Sequence, residues 1–70
     1  MWHTFATETC EHKITGERYT ACRASLEEAI HYLNTSLDGD YALSGYIVFE
    51  GKQGHWFKLD EFKKVYRIIK

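Results

Sequence analysis

The segment beginning Ser25-Leu26-Glu27-Glu28 constrains the fold more than any other. Its serine can accept from the Glu28 backbone N–H while the Glu28 carboxylate reaches back to Ser25, a capping box that also sets acid at the positive end of the helix dipole. Leu26, Ala29, Ile30, Leu33 and Leu37 then recur at three- and four-residue spacing and form one apolar stripe. Asp38-Gly39-Asp40 is expected to end a helix of about 13 residues. One helix cannot bury such a stripe alone, and the 70 residues form a single domain, residues 1 to 70. A sheet is therefore the partner the stripe requires.

Strand-like runs flank the helix. WHTFATET (2 to 9) and ERYTACR (17 to 23) are rich in threonine and aromatics, with Gly16 between them, and read as a first hairpin. Its register stays open, because loops of two or three residues around Thr15-Gly16 both fit and a one-residue slip exchanges the faces. The second hairpin turns at Gly51-Lys52-Gln53-Gly54. A two-residue Lys52-Gln53 loop and a four-residue loop both set Glu50 opposite His55, Phe49 opposite Trp56 and Val48 opposite Phe57. Tyr46, Val48, Phe57 and Leu59 then share the expected core face. Ile47, Phe49, Trp56 and Lys58 share the other, which is apolar enough to need cover.

In the tail, LDEFKKVYRIIK, the residues Phe62, Val65, Tyr66 and Ile69 fit a helical stripe, while VYRII reads as a β-branched strand. The expectation is a helical turn at 60 to 64 capped by Asp60, then a last strand. The fold class is α+β, with a small antiparallel sheet (order β-β-α-β-β-β) covered on one face by a single amphipathic helix. A chain this short buries only roughly 60% of its unfolded surface, so its core must be dense in large side chains. Eleven aromatics supply that density and exclude a disordered tail.

The run GYIVFEGKQGHWFKLDEFKKVYRII, residues 45 to 69, sets an apolar strand, a glycine-containing hairpin, an aromatic strand and then Phe62 and Tyr66, four apart. It resembles the end of small phage-encoded accessory proteins of unknown function. Such proteins often carry a tryptophan early in the first strand and a proline before the final turn, where this chain has Tyr46 and Leu59-Asp60. The resemblance implies a phage or mobile-element origin and transfers no functional residue.

Cys10, His12 and Cys22 are candidate metal ligands, with His3 or His31 as a fourth. A three-residue first-hairpin loop would place the two cysteines opposite each other. Their spacing matches no paired-ligand motif, and cysteine commonly serves as a small buried hydrophobe. No metal or other cofactor is expected. A thiol nucleophile would need a base and an oxyanion-stabilising group together, and no glycine-rich phosphate loop, GxSxG turn or HExxH helix is present. The pairs Glu27-Glu28 and Asp60-Glu61 read as helix-start acids rather than a catalytic dyad. The chain reads as no enzyme.

The net charge is -1, yet residues 52 to 70 carry +4 and residues 1 to 51 carry -5. Opposite charges meeting across the fold account for this, and steering of a partner is the functional counterpart. The expected activity is that of a protein-binding module which modulates or inhibits a host protein, such as a defence or transcription component. Its contact surface is Phe49, Trp56 and Lys58, rimmed by Lys52, His55 and Lys64, because tryptophan is enriched at interface hot spots. Nucleic-acid binding through Trp56 and the basic Lys58, Lys63, Lys64, Arg67 and Lys70 is the alternative, and a homodimer formed through an open sheet face or edge is a third reading. The start MWHTFATETC has neither a basic nor an apolar signal region, and no run reaches membrane-span length. A soluble, cytoplasmic protein with no membrane partner is expected, and two cysteines suit a reducing compartment.

Overall fold

The computed structural model describes residues 7–69. Trp2, His3 and the other residues before Thr7 in the expected first strand lie outside them, as does Lys70. In chain order the elements are β1 (Thr7–His12), β2 (Arg18–Ser25), α1 (Leu26–Leu33), β3 (Ser44–Glu50), β4 (Gln53–Lys58), α2 (Leu59–Val65) and β5 (Tyr66–Ile69). The strands form one five-stranded sheet in the order β4-β3-β2-β1-β5, with every neighbouring pair antiparallel.

The fold is thus α+β with an antiparallel sheet, but it carries two helices, one on each face. Ala29, Leu33 and Leu37 pack with Cys22, Ala24, Ile47, Phe49 and Trp56 on one side. Phe62, Leu59 and Val65 pack with Cys10, Ala21, Tyr46, Val48 and Phe57 on the other. The face expected to be the core under a single helix is therefore α2's, while α1 covers the Ile47, Phe49 and Trp56 face. Strand alternation still holds: Trp56 and Phe57 point to opposite sides, and each finds a helix there. Central β2 makes this double cover workable. Its Ala21, Cys22 and Ala24 are small and buried, so elements approach closely on both faces.

Local chemistry sets the element ends. The capping box forms as expected: the Glu28 N–H donates to Ser25 Oγ at 3.2 Å and the Ser25 N–H to Glu28 Oε1 at 2.9 Å. Such a cap contributes about 1 kcal/mol. α1 ends a turn earlier than its stripe suggests, because Asn34 adopts the left-handed conformation (φ 53°) and the N–H groups of Asn34 and Thr35 both close onto the Ile30 carbonyl. Leu37 still reaches the core, from the loop rather than the helix.

The tail combines both of its readings. α2 runs from Leu59 through Val65, with Lys58 rather than Asp60 at the N-cap. Asp60 and Glu61 fall in its first turn and Lys63 and Lys64 in its last, each complementing the dipole. At Tyr66 the chain becomes extended and pairs with β1, and just past the end of β1 the Lys13 N–H donates to the Val65 carbonyl at 2.9 Å. α2 thereby carries the chain across one whole face, from edge strand β4 to edge strand β5.

Both hairpins settle their registers by glycine. In the second, Glu50 pairs with Gln53 and Ile47 with Trp56, so the loop is Gly51-Lys52. Gly51 has φ 62° while Lys52 does not have positive φ, which fits a tight turn with glycine at its first central position. Glu50 opposite His55 and Phe49 opposite Trp56 are therefore each displaced by two residues, a slip that preserves the faces. The first hairpin has a four-residue loop, Lys13 to Gly16, closed by the His12 N–H on the Glu17 carbonyl at 2.8 Å, with Gly16 at φ 76°.

Candidate binding groove at the free edge of the sheet

Where α1 ends above β3 and β4, the two layers leave an open groove of about 750 Å³. Two glycines shape its floor. At Gly54 a Cβ would lie 2.8 Å from Leu33 Cδ2, so the bare backbone lets the end of α1 settle onto β4. At Gly45 a Cβ would lie 2.8 Å from two atoms of the Trp56 indole, which crosses β3 at that point. The indole Nε1–H reaches the Ala24 carbonyl of β2 at 3.2 Å. Trp56 is half-buried with its polar atom satisfied, as buried indoles usually are. Tyr32, 42% exposed, meets Phe49 edge-on with ring centroids 6.0 Å apart and forms the α1 wall.

Lys52, Gln53 and His55 border it on the strand side, but strand alternation turns the Gln53 and His55 side chains, like that of Phe57, toward α2's face. His55 lies 3.5 Å from Glu50, and both are exposed. Of the residues that the sequence singles out, Phe49, Lys52 and Trp56 thus meet at one groove, while the register sends the His55 side chain to the opposite face beside Val48 and Phe57. Lys58 lies beyond it at the exposed end of β4. Lys64 does not join them: it sits on α2, across the sheet from Trp56. Leu33 and Leu37 belong to the expected apolar stripe, which packs on the face of the sheet opposite to the one the pairing suggests, and Tyr32 is the groove residue that the stripe leaves out. The one available signal was Tyr32, an aromatic placed off the apolar stripe.

β4 is also a free edge. Among the described residues it pairs only with β3. The turn bonds Glu50 to Gln53, so hydrogen-bonded pairs alternate from there and the backbone groups of Gln53, His55 and Phe57 face β3. Those of Gly54, Trp56 and Lys58 face outward, beside the groove.

The candidate metal ligands are not assembled. Cys10 pairs with Tyr19, and Cys22 with Thr7. This register puts Cys10 on α2's face and Cys22 on α1's. His12 Nδ1 accepts the N–H groups of Ile14 and Thr15, each at 3.2 Å, so it serves the turn. Among the described residues no group of three His, Cys, Asp or Glu side chains is placed to hold a metal ion.

Both cysteines are free and buried, and burial pushes each thiol above its ordinary range. Such thiols are poor nucleophiles. Reaction with a disulfide reagent at pH 8 is expected to wait for opening of the fold, on the order of 10³-fold slower than in denaturant. Two thiols that react at once in native buffer would contradict this packing.

A smaller depression lies on the α2 face, where Lys13, Lys63 and Arg67 border Tyr46, Phe62 and Tyr66. Its cations are partly engaged, Arg67 with Glu11 at 2.9 Å and the Lys13 ammonium with the Lys63 carbonyl. Among the described residues no helix is long and apolar enough to cross a membrane. Fold and groove together define a small α+β domain with a recess beside an open strand edge. The chain matches no protein family, no curated protein and no solved structure.

Proposed function

We propose that this chain is a non-enzymatic protein-binding module whose partner docks in the groove between the end of α1 and β4. The observation that carries this reading is the juxtaposition of Tyr32, Phe49 and Trp56 with the unpaired edge of β4. Aromatic anchors rimmed by charge are the usual composition of an interface hot spot. The resemblance of residues 45 to 69 to small phage-encoded proteins supports a host protein as the partner and the cytoplasm as the place of action. Nucleic-acid binding draws less support, because the sheet separates Trp56 from Lys63 and Lys64, and Arg67 is held by Glu11.

The test is a pull-down from bacterial lysate with nuclease present, comparing the wild-type chain with Tyr32→Glu plus Lys52→Glu. Both positions are exposed, so the fold should survive, which circular dichroism checks. Trp56→Ala suits this purpose less, since it also removes the bond to Ala24. A protein retained by wild type and lost with the double variant is the expected result. Retention unchanged by the variant, or capture that vanishes with nuclease, would overturn the proposal.

A further inference from the structure

Resting on that reading, we infer that the groove takes an extended segment of a partner protein, added as a sixth strand to β4 and carrying acidic residues at both ends of an alternating apolar stretch. The outward backbone groups of Gly54, Trp56 and Lys58 offer main-chain hydrogen bonds to such a strand. Side chains at these three positions lie on the groove side of the sheet, so alternate residues of the incoming strand fall on that side too. The residues opposite Gly54 and Trp56 meet Leu33, Phe49 and the indole and must be apolar.

Charge selects the rest of the occupant. β4 carries no acidic residue, and Lys52 and Lys58 bracket it at both ends. Among the described residues the ion pairs join Glu11 to Arg18 and Arg67, and Glu50 to His55, which leaves Lys52 and Lys58 unpaired. An incoming strand with a carboxylate opposite each lysine gains two cross-strand pairs. A second copy of β4 meets the reverse: the antiparallel register centred on His55 sets Lys52 of each copy against Lys58 of the other. Lysines at an edge oppose self-pairing in this way while leaving the edge open to an acidic strand.

The probe is the capped peptide Ac-Glu-Thr-Ile-Thr-Val-Thr-Glu-NH2, titrated into isotope-labelled protein at low ionic strength. Two controls accompany it, one with lysine at both ends and one N-methylated at the Ile and Val amides. Shifts and exchange protection are expected at the amides of Gly54, Trp56 and Lys58. Affinity should exceed that for the lysine-ended peptide by roughly tenfold, the sum of two exposed charge pairs made rather than opposed. The N-methylated peptide should fail to bind, and Lys52→Glu with Lys58→Glu should reverse the charge preference.

Equal affinity for both peptide ends, or shifts confined to another surface, would overturn the inference. So would concentration-dependent dimerisation that protects the same three amides. If the acidic peptide does not bind while the lysate partner is still lost with the Tyr32 and Lys52 variant, the groove remains the docking site and strand addition is rejected.

Discussion

Replacing Phe62 with alanine is expected to cost about 4 kcal/mol, the usual range for truncating a fully buried phenylalanine. Phe62 is 1% exposed and is the one fully buried side chain of α2. Its ring stacks on Tyr46 with centroids 4.3 Å apart and on Tyr66 at 5.4 Å. Leu59 and Val65, the other residues of that seven-residue helix on this face, are only partly buried, so most of the layer over Cys10, Ala21 and Val48 is lost with it. A domain of this size has only roughly 4 to 10 kcal/mol in all, and the variant should be largely unfolded under mild conditions. Phe62→Leu keeps most of the apolar volume and should cost less than half as much. Urea titrations of the three proteins decide the matter. A loss below about 1 kcal/mol for Phe62→Ala would mean that α2 is not a structural layer.

Gly45→Ala is expected to lower the melting temperature by roughly 15 °C or more, corresponding to about 3 kcal/mol of overpacking in a chain of this length. A Cβ at Gly45 would sit 2.1 Å from the Phe57 carbonyl oxygen, which is backbone and cannot swing aside. The same methyl would meet the Trp56 indole, which passes over Gly45 on its way to the Ala24 carbonyl. Relief requires β3 and β4 to part or the indole to leave, and each outcome disrupts the groove floor. Gly54→Ala is the informative contrast. Its contacts, at 2.8 and 3.1 Å, are all side-chain atoms of Leu33, Ile47 and Phe49, which can give way. It should cost about a third as much, near 1 kcal/mol. Thermal unfolding of both variants tests this, and equal shifts would contradict the threaded indole.

Much of the secondary structure was legible because it depends on neighbours in sequence. The capping box at Ser25 and Glu28 needs residues three apart, and it forms as read. The second, third and fourth expected strands and the final strand exist within the described residues, the first expected strand (2 to 9) lies mostly outside them, and the alternation separating Trp56 from Phe57 survives a two-residue slip. The early stop of α1 was less visible. Leu37 continues the apolar spacing, yet Asn34 turns left-handed and Leu37 reaches the core by another path.

What the chain determined by itself was local: period, caps and turn residues, and hence an α+β protein with an antiparallel sheet. Only the tertiary structure decided which face each helix covers. A strand's alternation marks two faces without labelling them, and Tyr46-Ile47-Val48-Phe49 is apolar on both. The register of the first hairpin was likewise a matter of tertiary pairing, and it separates Cys10 from Cys22 across the sheet. The groove has the same origin. Phe49 and Trp56 were readable as apolar, but Tyr32 joins them only because Gly54 and Gly45 let a helix and an indole approach the backbone more closely than any side chain would allow.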